Sequence, residues 1–376
     1  MIPRMYFEPI REALIDGRKI VVLYGPRQAG KTTLIKSIID QLDFRTLFIN
    51  ADQQRYIDIL SSRDLERMKW LIAGHEVLVI DEAQRVPDIG INLKILHDEM
   101  PQLRIIATGS SSFELANQVK EPLTGRILTF VLYPIGVCEL ALSQNPFELQ
   151  SQIEAFLRFG MYPERFSMQG ADETANYLVD IASSYLYKDV LELSNIRHSS
   201  KLHKLLQLLA HQIGAQVSLN ELGQQLEMSK DTVGHYLDLL EQSFVIFRLP
   251  GFSRNLRKEL SKMDKIYFWD TGVRNAVIDD FRPLSSRSDT GKLWENFLVS
   301  ERRKWLAFHQ KRGRSHFWRT YDQAEIDYVE TKDGQIQAYE FKFFPKAARV
   351  PQAWQLAYPE ASFQVVHPEN FWEFVG

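Results

Sequence analysis

The feature that most constrains this chain is an eight-residue motif at Gly25 to Thr32, Gly-Pro-Arg-Gln-Ala-Gly-Lys-Thr. An apolar run at Ile20 to Tyr24 precedes it and predicts a buried strand, and Thr33-Leu34-Ile35 predicts a helix after it. Glycines let the backbone bend around an anion, a lysine reaches terminal phosphates, and a hydroxyl suits magnesium. We therefore expect ATP to bind at Gly25, Pro26, Arg27, Gln28, Ala29, Gly30, Lys31, Thr32 and Thr33.

A second motif supplies paired carboxylates. The apolar run at Val77 to Ile80 predicts a buried strand, and Asp81 and Glu82 follow it directly. We expect Thr32 to bind Mg²⁺ and Asp81 to hold the ion through a water molecule, while Glu82 polarises the attacking water. The pair predicts hydrolysis as well as binding, with Lys31 and Glu82 as catalytic residues.

Two further positions are candidates around the same phosphates. The apolar run at Arg104 to Thr108 ends in polar residues, so Thr108 or Ser110 would sense the γ-phosphate; the sequence does not choose between them. Arg126 is a candidate arginine finger that would stabilise transition-state charge from a neighbouring subunit. The alternative is a structural arginine paired with a carboxylate.

The length and the spacing of apolar residues predict several modules. A chain of 376 residues suits two or three domains. In its first third, short apolar runs alternate with amphipathic segments, which is typical of a parallel sheet wrapped by helices. The predicted strands are Ile20 to Tyr24, Thr46 to Asn50, Val77 to Asp81, Arg104 to Thr108 and Ile127 to Leu132.

A helix-turn-helix pattern lies in the middle of the chain. Ser218 and Glu221 form a capping box for a short helix, a second helix runs from Ser229 to Leu240, and Ser243 to Leu249 resembles a wing. The second helix would expose Lys230, Asp231, His235, Asp238 and Glu241. This face suits DNA poorly, which favours a structural or protein-contact role. The alternative is DNA contact through Arg254, Arg257, Lys258, Lys262 and Lys265.

The net charge of −3 means that any nucleic-acid affinity must come from a local basic surface. The segment from Arg302 to Tyr321 contains seven Lys or Arg residues and no Asp or Glu. Aromatic residues, including Trp305 and Trp318, are interleaved with them. We expect this segment to present such a surface to DNA, and RNA is not excluded.

A hairpin near the C-terminus brings two acidic residues together. Asp333-Gly334 predicts a two-residue turn, so residues whose numbers sum to 667 lie opposite one another and Asp327 faces Glu340. Two carboxylates at this spacing repel unless a cation lies between them.

The cation is either Lys342 or a divalent metal, and oxygen ligands suit Mg²⁺ or Mn²⁺. In the metal interpretation, Asp327 and Glu340 bind the ion, Glu295 completes the site from a predicted helix, and Lys342 orients the attacking water. This is the layout of a metal-dependent phosphodiesterase. The alternative is a salt-bridged hairpin, Lys342 with Glu325 and Glu340, that binds no metal.

The motifs together resemble a family of bacterial and archaeal AAA+ ATPases with a C-terminal domain of the PD-(D/E)xK restriction-endonuclease-like type. Besides the loop, the matching segments are Ile-Asp-Glu-Ala-Gln at residues 80–84, Ala-Thr-Gly-Ser-Ser at 107–111, Leu-Thr-Gly-Arg at 123–126, Gly-Met-Tyr-Pro at 160–163, Tyr-Lys-Asp at 187–189, Tyr-Phe-Trp-Asp-Thr-Gly at 267–272, Trp-Glu-Asn at 294–296, Glu-Ile-Asp at 325–327 and Glu-Phe-Lys at 340–342. The resemblance implies a homo-oligomer, a central winged helix and a nuclease-like fold.

The predicted fold class is therefore α/β, with four parts along the chain. Residues 1–145 form an AAA+ P-loop core with a parallel sheet, 146–205 a helical lid or connector, 206–284 a winged helix-turn-helix, and 285–376 a restriction-endonuclease-like domain. The leading hypothesis is that ATP hydrolysis drives action on DNA through the last domain. The alternative is a nucleotide-switched scaffold whose last domain is an inactive binding module.

The compartment follows from cysteine usage and hydropathy. Cys138 is the single cysteine, so an intramolecular disulfide is excluded and a reducing compartment is favoured. The longest apolar region, Ile127 to Leu142, is broken by Pro134 and Glu139. We expect a cytoplasmic protein that does not enter a membrane.

Overall fold

The computed structural model describes residues 2–110, 121–186, 199–253, 263–311, 313–320, 322–344 and 349–376. By its internal contacts the chain forms two compact units. The first comprises Pro3–Pro134 with Gln242–Phe244, and the second comprises Ile135–Glu241 with Val245–Gly376. Within the described residues, no helix combines the length and the apolar character required to cross a bilayer.

The first unit is built on a five-stranded parallel sheet with the strand order β2-β3-β4-β1-β5. The strands are β1 (Ile20–Tyr24), β2 (Thr46–Asn50), β3 (Val77–Asp81), β4 (Arg104–Gly109) and β5 (Ile127–Val131). The helices are α1 (Phe7–Asp16), α2 (Lys31–Ile39), α3 (Gln54–Leu60), α4 (Leu65–Ile72) and α5 (Ile89–Glu99). The predicted parallel sheet is confirmed, and strand β1 is buried along its whole length, as expected for a parallel sheet with both faces covered.

The strand order decides which residues meet. Strand β4 lies between β1 and β3 and pairs with both, so Leu23 is level with Thr108. All five strands point the same way, and their carboxyl ends therefore share one edge of the sheet. The residues that follow β1, β3 and β4 are consequently neighbours, although the chain separates them widely.

The second unit begins with helices that surround a two-stranded antiparallel sheet. The strands are β6 (Ile246–Leu249) and β7 (Lys265–Phe268). The helices are α6 (Val137–Leu140), α7 (Pro146–Ser151), α8 (Ile153–Phe159), α9 (Ala171–Asp180), α10 (Ser199–His211), α11 (Leu219–Leu226), α12 (Lys230–Gln242) and α13 (Thr271–Val277). One hydrophobic cluster contains Leu178, Leu205, Leu237 and Ile266. Residues 146–205 and 206–284 thus share a core, and the boundary expected between them falls inside α10.

The last part of the second unit is a four-stranded sheet with the order β11-β10-β9-β8. Its strands are β8 (Arg314–Arg319), β9 (Glu325–Lys332), β10 (Gln335–Phe341) and β11 (Ser362–Val366), and its helices are α14 (Thr290–Phe308), α15 (Gln352–Ala357) and α16 (Phe371–Val375). Strands β8, β9 and β10 are antiparallel, whereas β11 runs parallel to β10.

The predicted hairpin is confirmed in its turn and in its register. Gln335 lies opposite Lys332, and Tyr339 lies opposite Tyr328. Asp333 and Gly334 have φ values of 49° and 81°, the left-handed backbone that a two-residue hairpin turn requires. This register brings Asp327 next to β10.

Candidate nucleotide site and C-terminal carboxylate cluster

The loop between β1 and α2 needs glycine at both of its ends. Gly25 has a φ of 146°, and a Cβ atom there would lie 2.0 Å from the carbonyl oxygen of Leu132. Gly30 has a φ of 92° and forms the N-cap of α2. Any larger residue at these positions would be strained, so the two glycines set the curve of the loop.

Lys31 turns back toward the loop that precedes it. Its Nζ donates hydrogen bonds to the carbonyl oxygens of Gly25, at 2.8 Å, and Pro26, at 3.0 Å. The side chain is buried, which holds the ammonium group within the curve of the loop. This is where a phosphate bound at the N-terminus of α2 would need a positive charge.

The first turn of α2 and the end of β4 meet at Asp81, the last residue of β3. Thr32 Oγ1 donates to Asp81 Oδ2 at 2.9 Å, and Thr108 Oγ1 donates to Asp81 Oδ1. A hydroxyl and a carboxylate side by side are the oxygen ligands that Mg²⁺ prefers, so Thr32 and Asp81 fit this ion. Thr108, one of the two candidates for a phosphate sensor, donates to the second oxygen of Asp81.

Glu82 belongs to a second group of polar side chains at the same edge. Its φ is 55°, a left-handed conformation that costs a non-glycine residue on the order of 1 kcal/mol. Its carboxylate accepts a hydrogen bond from Gln84 Nε2 at 2.5 Å, and the same nitrogen lies 3.2 Å from Ser110 Oγ. Sequence reasoning gave no role to Gln84, although the residue stands in the Asp-Glu-Ala-Gln segment.

Arg126 lies at the opposite edge of the sheet. Its carbonyl oxygen accepts a hydrogen bond from the backbone nitrogen of Ile20, at the start of β1, whereas the loop follows the end of that strand. Its guanidinium group donates to both carboxylate oxygens of Asp98, at 2.8 and 3.1 Å. Arg126 is thus paired with a carboxylate, as in the alternative interpretation. To act as an arginine finger on a neighbouring subunit, it would have to break the ion pair with Asp98.

The second cluster of ionisable side chains lies in the second unit and centres on Lys265. This lysine is 2% exposed, and its Nζ lies 2.9 Å from Glu295 Oε1 and 2.5 Å from Glu325 Oε1. Burial disfavours its charge, but Glu295, Glu325 and Asp327 outweigh burial and raise the pKa of Lys265. It therefore stays a cation at neutral pH.

Tyr267 adds a second donor to the same carboxylate oxygen. Its hydroxyl lies 2.6 Å from Glu295 Oε1. Burial, and next the Glu295 charge, raise the pKa of the Tyr267 hydroxyl well above its ordinary value. The hydroxyl thus remains protonated and donates.

Asp327 and Glu340 lie next to this group, as the hairpin register predicts. Asp327 Oδ2 accepts a hydrogen bond from the backbone nitrogen of Phe341 at 2.8 Å, and Lys342 Nζ lies 2.5 Å from Glu340 Oε1. Burial, followed by the charges of Glu295 and Glu340, raises the pKa of Asp327 well above its ordinary value. The carboxylates are therefore close enough to repel one another.

The predicted metal ligands are engaged with hydrogen-bond donors in this arrangement. Hydrogen-bond donors occupy an oxygen of Glu295, of Asp327 and of Glu340. In the part of the chain that the structure describes, no three His, Cys, Asp or Glu side chains are grouped so as to hold a metal. Of the ion pairs named in the alternative interpretation, Lys342 forms the one with Glu340, whereas Glu325 pairs with Lys265 and Arg319.

The alternative in which Lys265 contacts DNA is contradicted for this residue, because its charge is buried among carboxylates. Lys265 and Tyr267 alternate along β7 and so point to the same side of the strand. The alternation of Lys265 and Tyr267 just before the Phe-Trp-Asp segment could have indicated from the sequence that both side chains lie together. The other members of the expected basic segment, Arg254, Arg257, Lys258 and Lys262, lie outside the described residues.

The expected basic surface from Arg302 to Tyr321 loses two of its cations to burial. Arg302 is buried and forms two hydrogen bonds to Glu330, at 2.9 and 3.1 Å. Lys304 is fully buried and lies 2.6 Å from Glu301 Oε1. The rest of this segment includes strand β8, whose aromatic residues are buried. Lys311 and Arg314 are exposed, and Arg312 and Tyr321 lie outside the described residues.

The exposed face of α12 is acidic, as expected. Lys230, Asp231, His235 and Asp238 are exposed. Arg248 on β6 lies 2.7 Å from Asp238 and 3.0 Å from Glu241. This arginine is therefore engaged with the acidic residues, which leaves the face poorly suited to a phosphate backbone.

Comparisons with known proteins agree with the ATPase-like fold of the first unit. An AAA domain family matches residues 17–141, and two domains of unknown function, DUF8612 and DUF4143, match residues 150–284 and 290–366. An uncharacterised protein of Mycobacterium tuberculosis is 29% identical over 327 residues, covering 86% of this chain and 70% of that protein. An uncharacterised protein of Methanocaldococcus jannaschii is 26% identical over 307 residues, covering 76% of this chain and 67% of that protein.

A Walker-type ATPase of Pyrococcus abyssi has a similar structure. The TM-score is 0.51 at 14% identity, and the match covers 74% of this chain and 96% of that one. This likeness concerns the fold alone. Together with the AAA family match, it supports a P-loop ATPase domain of the AAA type in the first unit.

Proposed function

We propose that this protein binds ATP with Mg²⁺ at the Gly25 to Thr32 loop and hydrolyses it. The observation that carries the proposal is the convergence of Lys31, Thr32, Asp81 and Glu82 at one edge of a parallel sheet, where Thr32 lies 2.9 Å from Asp81. Each of these side chains suits one requirement of phosphoryl transfer.

The roles follow from the chemistry of each group. Lys31 neutralises the terminal phosphates, and backbone N–H groups at the start of α2 bind their oxygens. Thr32 and Asp81 hold Mg²⁺, which when bound neutralises charge on the phosphates. Glu82 accepts the proton of the attacking water. Gln84 donates a hydrogen bond that holds the Glu82 carboxylate in place, and the contact between Gln84 and Ser110 fixes the position of the Gln84 side chain.

Steady-state hydrolysis and nucleotide binding, measured side by side, test this proposal. Glu82→Gln should bind ATP normally but hydrolyse it about 10²- to 10⁴-fold more slowly, because the base is lost. Lys31→Ala should lose binding as well. Lys94→Ala, an exposed lysine on α5, is the matched control and should behave as wild type. Wild-type hydrolysis by Glu82→Gln would contradict the proposed base.

For the second unit, we propose a binding module that responds to the nucleotide state, with a winged helix and a nuclease-like fold. Two helices followed by an antiparallel strand pair support the winged helix. Helix α14 with Glu295, and a hairpin with Asp327 and Glu-Phe-Lys, support the nuclease-like fold. The acidic face of α12 and the buried charges of Arg302 and Lys304 favour a protein partner over DNA.

DNA cleavage is the competing function, and the carboxylate hairpin is what favours it. The assay uses single-stranded, duplex and branched DNA with Mg²⁺ or Mn²⁺, with and without ATP. We expect no cleavage by the wild-type protein. Cleavage that disappears in both Asp327→Ala and Lys342→Ala would establish a nuclease and displace the binding-module proposal.

A further inference from the structure

We propose that Lys265 is the built-in cation of the C-terminal carboxylate cluster and that it excludes a divalent metal from it. The cluster consists of Glu295, Glu325, Asp327 and Glu340, with Lys265, Lys342, Tyr267 and Arg319 around them. The inference rests on the proposed non-cleaving role of the second unit and gives a physical reason for it.

The position of the Lys265 ammonium group is the first support. It bridges carboxylates of two different elements, at 2.9 Å from Glu295 on α14 and 2.5 Å from Glu325 on β9. It also lies 5.4 Å from the centre of the Phe317 ring, an aromatic face that attracts cations. With a side chain only 2% exposed, the charge lies where these groups converge and not at the surface.

The oxygen atoms are the second support. A divalent ion such as Mg²⁺ needs carboxylate lone pairs that point at it. Glu295 Oε1 already accepts from both Lys265 and Tyr267, at 2.9 and 2.6 Å. Glu340 Oε1 accepts from Lys342 at 2.5 Å. A metal that binds these two oxygens would first have to displace the donors.

The charge balance is the third support. Four carboxylates face three cations, because Arg319 Nε lies 3.6 Å from Glu325 in addition to the two lysines. With all four carboxylates ionised, one negative charge is in excess, which a divalent ion would overcompensate. Without Lys265 the excess would be two negative charges, which a divalent ion would balance. Replacing Lys265 by a neutral residue should therefore create affinity for metal.

The experiment measures Mn²⁺ binding to the full-length, nucleotide-free protein by calorimetry and by thermal unfolding with added Mn²⁺. Lys265→Met should bind Mn²⁺ at least about tenfold more tightly than wild type, because a positive charge at the ion's position opposes binding. Adding Asp327→Asn should abolish the gained binding. Lys292→Met, which removes an exposed lysine on the same helix as Glu295, is the matched control and should gain nothing.

Two results would overturn the inference. One is wild-type Mn²⁺ binding that Asp327→Asn removes, since the metal would then coexist with Lys265. The other is a folded Lys265→Met without gained binding. If this variant does not fold, Lys265→Gln, which keeps a polar group, takes its place, and the wild type compared with Asp327→Asn still decides. No DNA is present, so the result is independent of the cleavage assay.

Discussion

At the scale of single residues, the second unit pairs its buried charges closely. Asp289 accepts hydrogen bonds from two arginines, at 2.7 Å from Arg274 and at 2.8 and 2.9 Å from Arg287. Burial opposes ionisation of Asp289, but the Arg287 hydrogen bonds and the charges of both arginines outweigh it and hold the pKa below its ordinary value. Such a carboxylate stabilises the fold only while it is ionised.

Asp289→Asn should therefore lower the free energy of unfolding in a pH-dependent way. The loss should be roughly 1–3 kcal/mol at neutral pH, the cost of leaving charged donors without their acceptor. It should be fully present above the unfolded-state pKa of about 3.9 and should shrink as the pH falls through the lower folded-state pKa. Denaturant unfolding at several pH values measures it.

Asp333→Asn is the matched control for this experiment. Asp333 lies in the hairpin turn, where asparagine accepts the same left-handed backbone, so little change in stability should follow. A cost of Asp289→Asn that stays constant from neutral pH down to the acid limit would refute the assignment of the low pKa.

At the scale of elements, one buried aspartate links two segments. Asp270 caps α13 by accepting from the backbone nitrogen of Val273 at 3.0 Å, and it also accepts from that of Met161 at 2.6 Å. Gly160 has a φ of 64°, and a Cβ there would lie 2.0 Å from Asp270. The Gly-Met-Tyr-Pro and Trp-Asp-Thr-Gly segments are thus parts of one junction.

Asp270→Ala should cost more than the loss of an ordinary helix cap. The cap itself contributes about 1 kcal/mol, and an unsatisfied buried Met161 N–H adds about 1–3 kcal/mol. Ser218→Ala removes the exposed cap of α11 in the same unit and should cost about 1 kcal/mol or less. Urea unfolding of both variants compares them, and equal costs would mean that the Met161 bond contributes nothing.

At the scale of the whole molecule, the chain forms two compact units, and the residues of the proposed nucleotide site, Lys31, Thr32, Asp81 and Glu82, belong to the first. A ligand that binds only the folded state stabilises it by mass action, by about 2.7 kcal/mol at a concentration one hundred times its Kd. ATP bound at the Gly25 to Thr32 loop and the start of α2 should therefore stabilise the folded protein against unfolding.

We expect ATP with Mg²⁺ to raise the midpoint of thermal unfolding in the wild type and in Lys94→Ala but not in Lys31→Ala. The reason is that Lys31 lies within the curve of the loop, whereas Lys94 is exposed on α5. Calorimetric scans at several ATP concentrations measure the shift. An equal shift in Lys31→Ala would place the nucleotide elsewhere.

The sequence by itself determined the features that depend on near neighbours in the chain. Strands β1, β2 and β3 have the predicted bounds, because an apolar run ends where polar or glycine residues begin. The hairpin register follows from Asp333 and Gly334, since a two-residue turn fixes every pair beyond it. The loop motif predicts its own position between a strand and a helix.

Only the tertiary structure decided which charged residues are buried together. Lys265 and Glu295 are 30 residues apart, and Arg302 and Glu330 are 28 apart. A run of lysines and arginines does not indicate whether carboxylates from other elements will surround it, so the sequence did not reveal that Lys265 and Arg302 are buried in ion pairs. Likewise, the order of the parallel strands placed Thr108 against Asp81. Burial and pairing depend on contacts between distant segments, which local periodicity and turn chemistry do not encode.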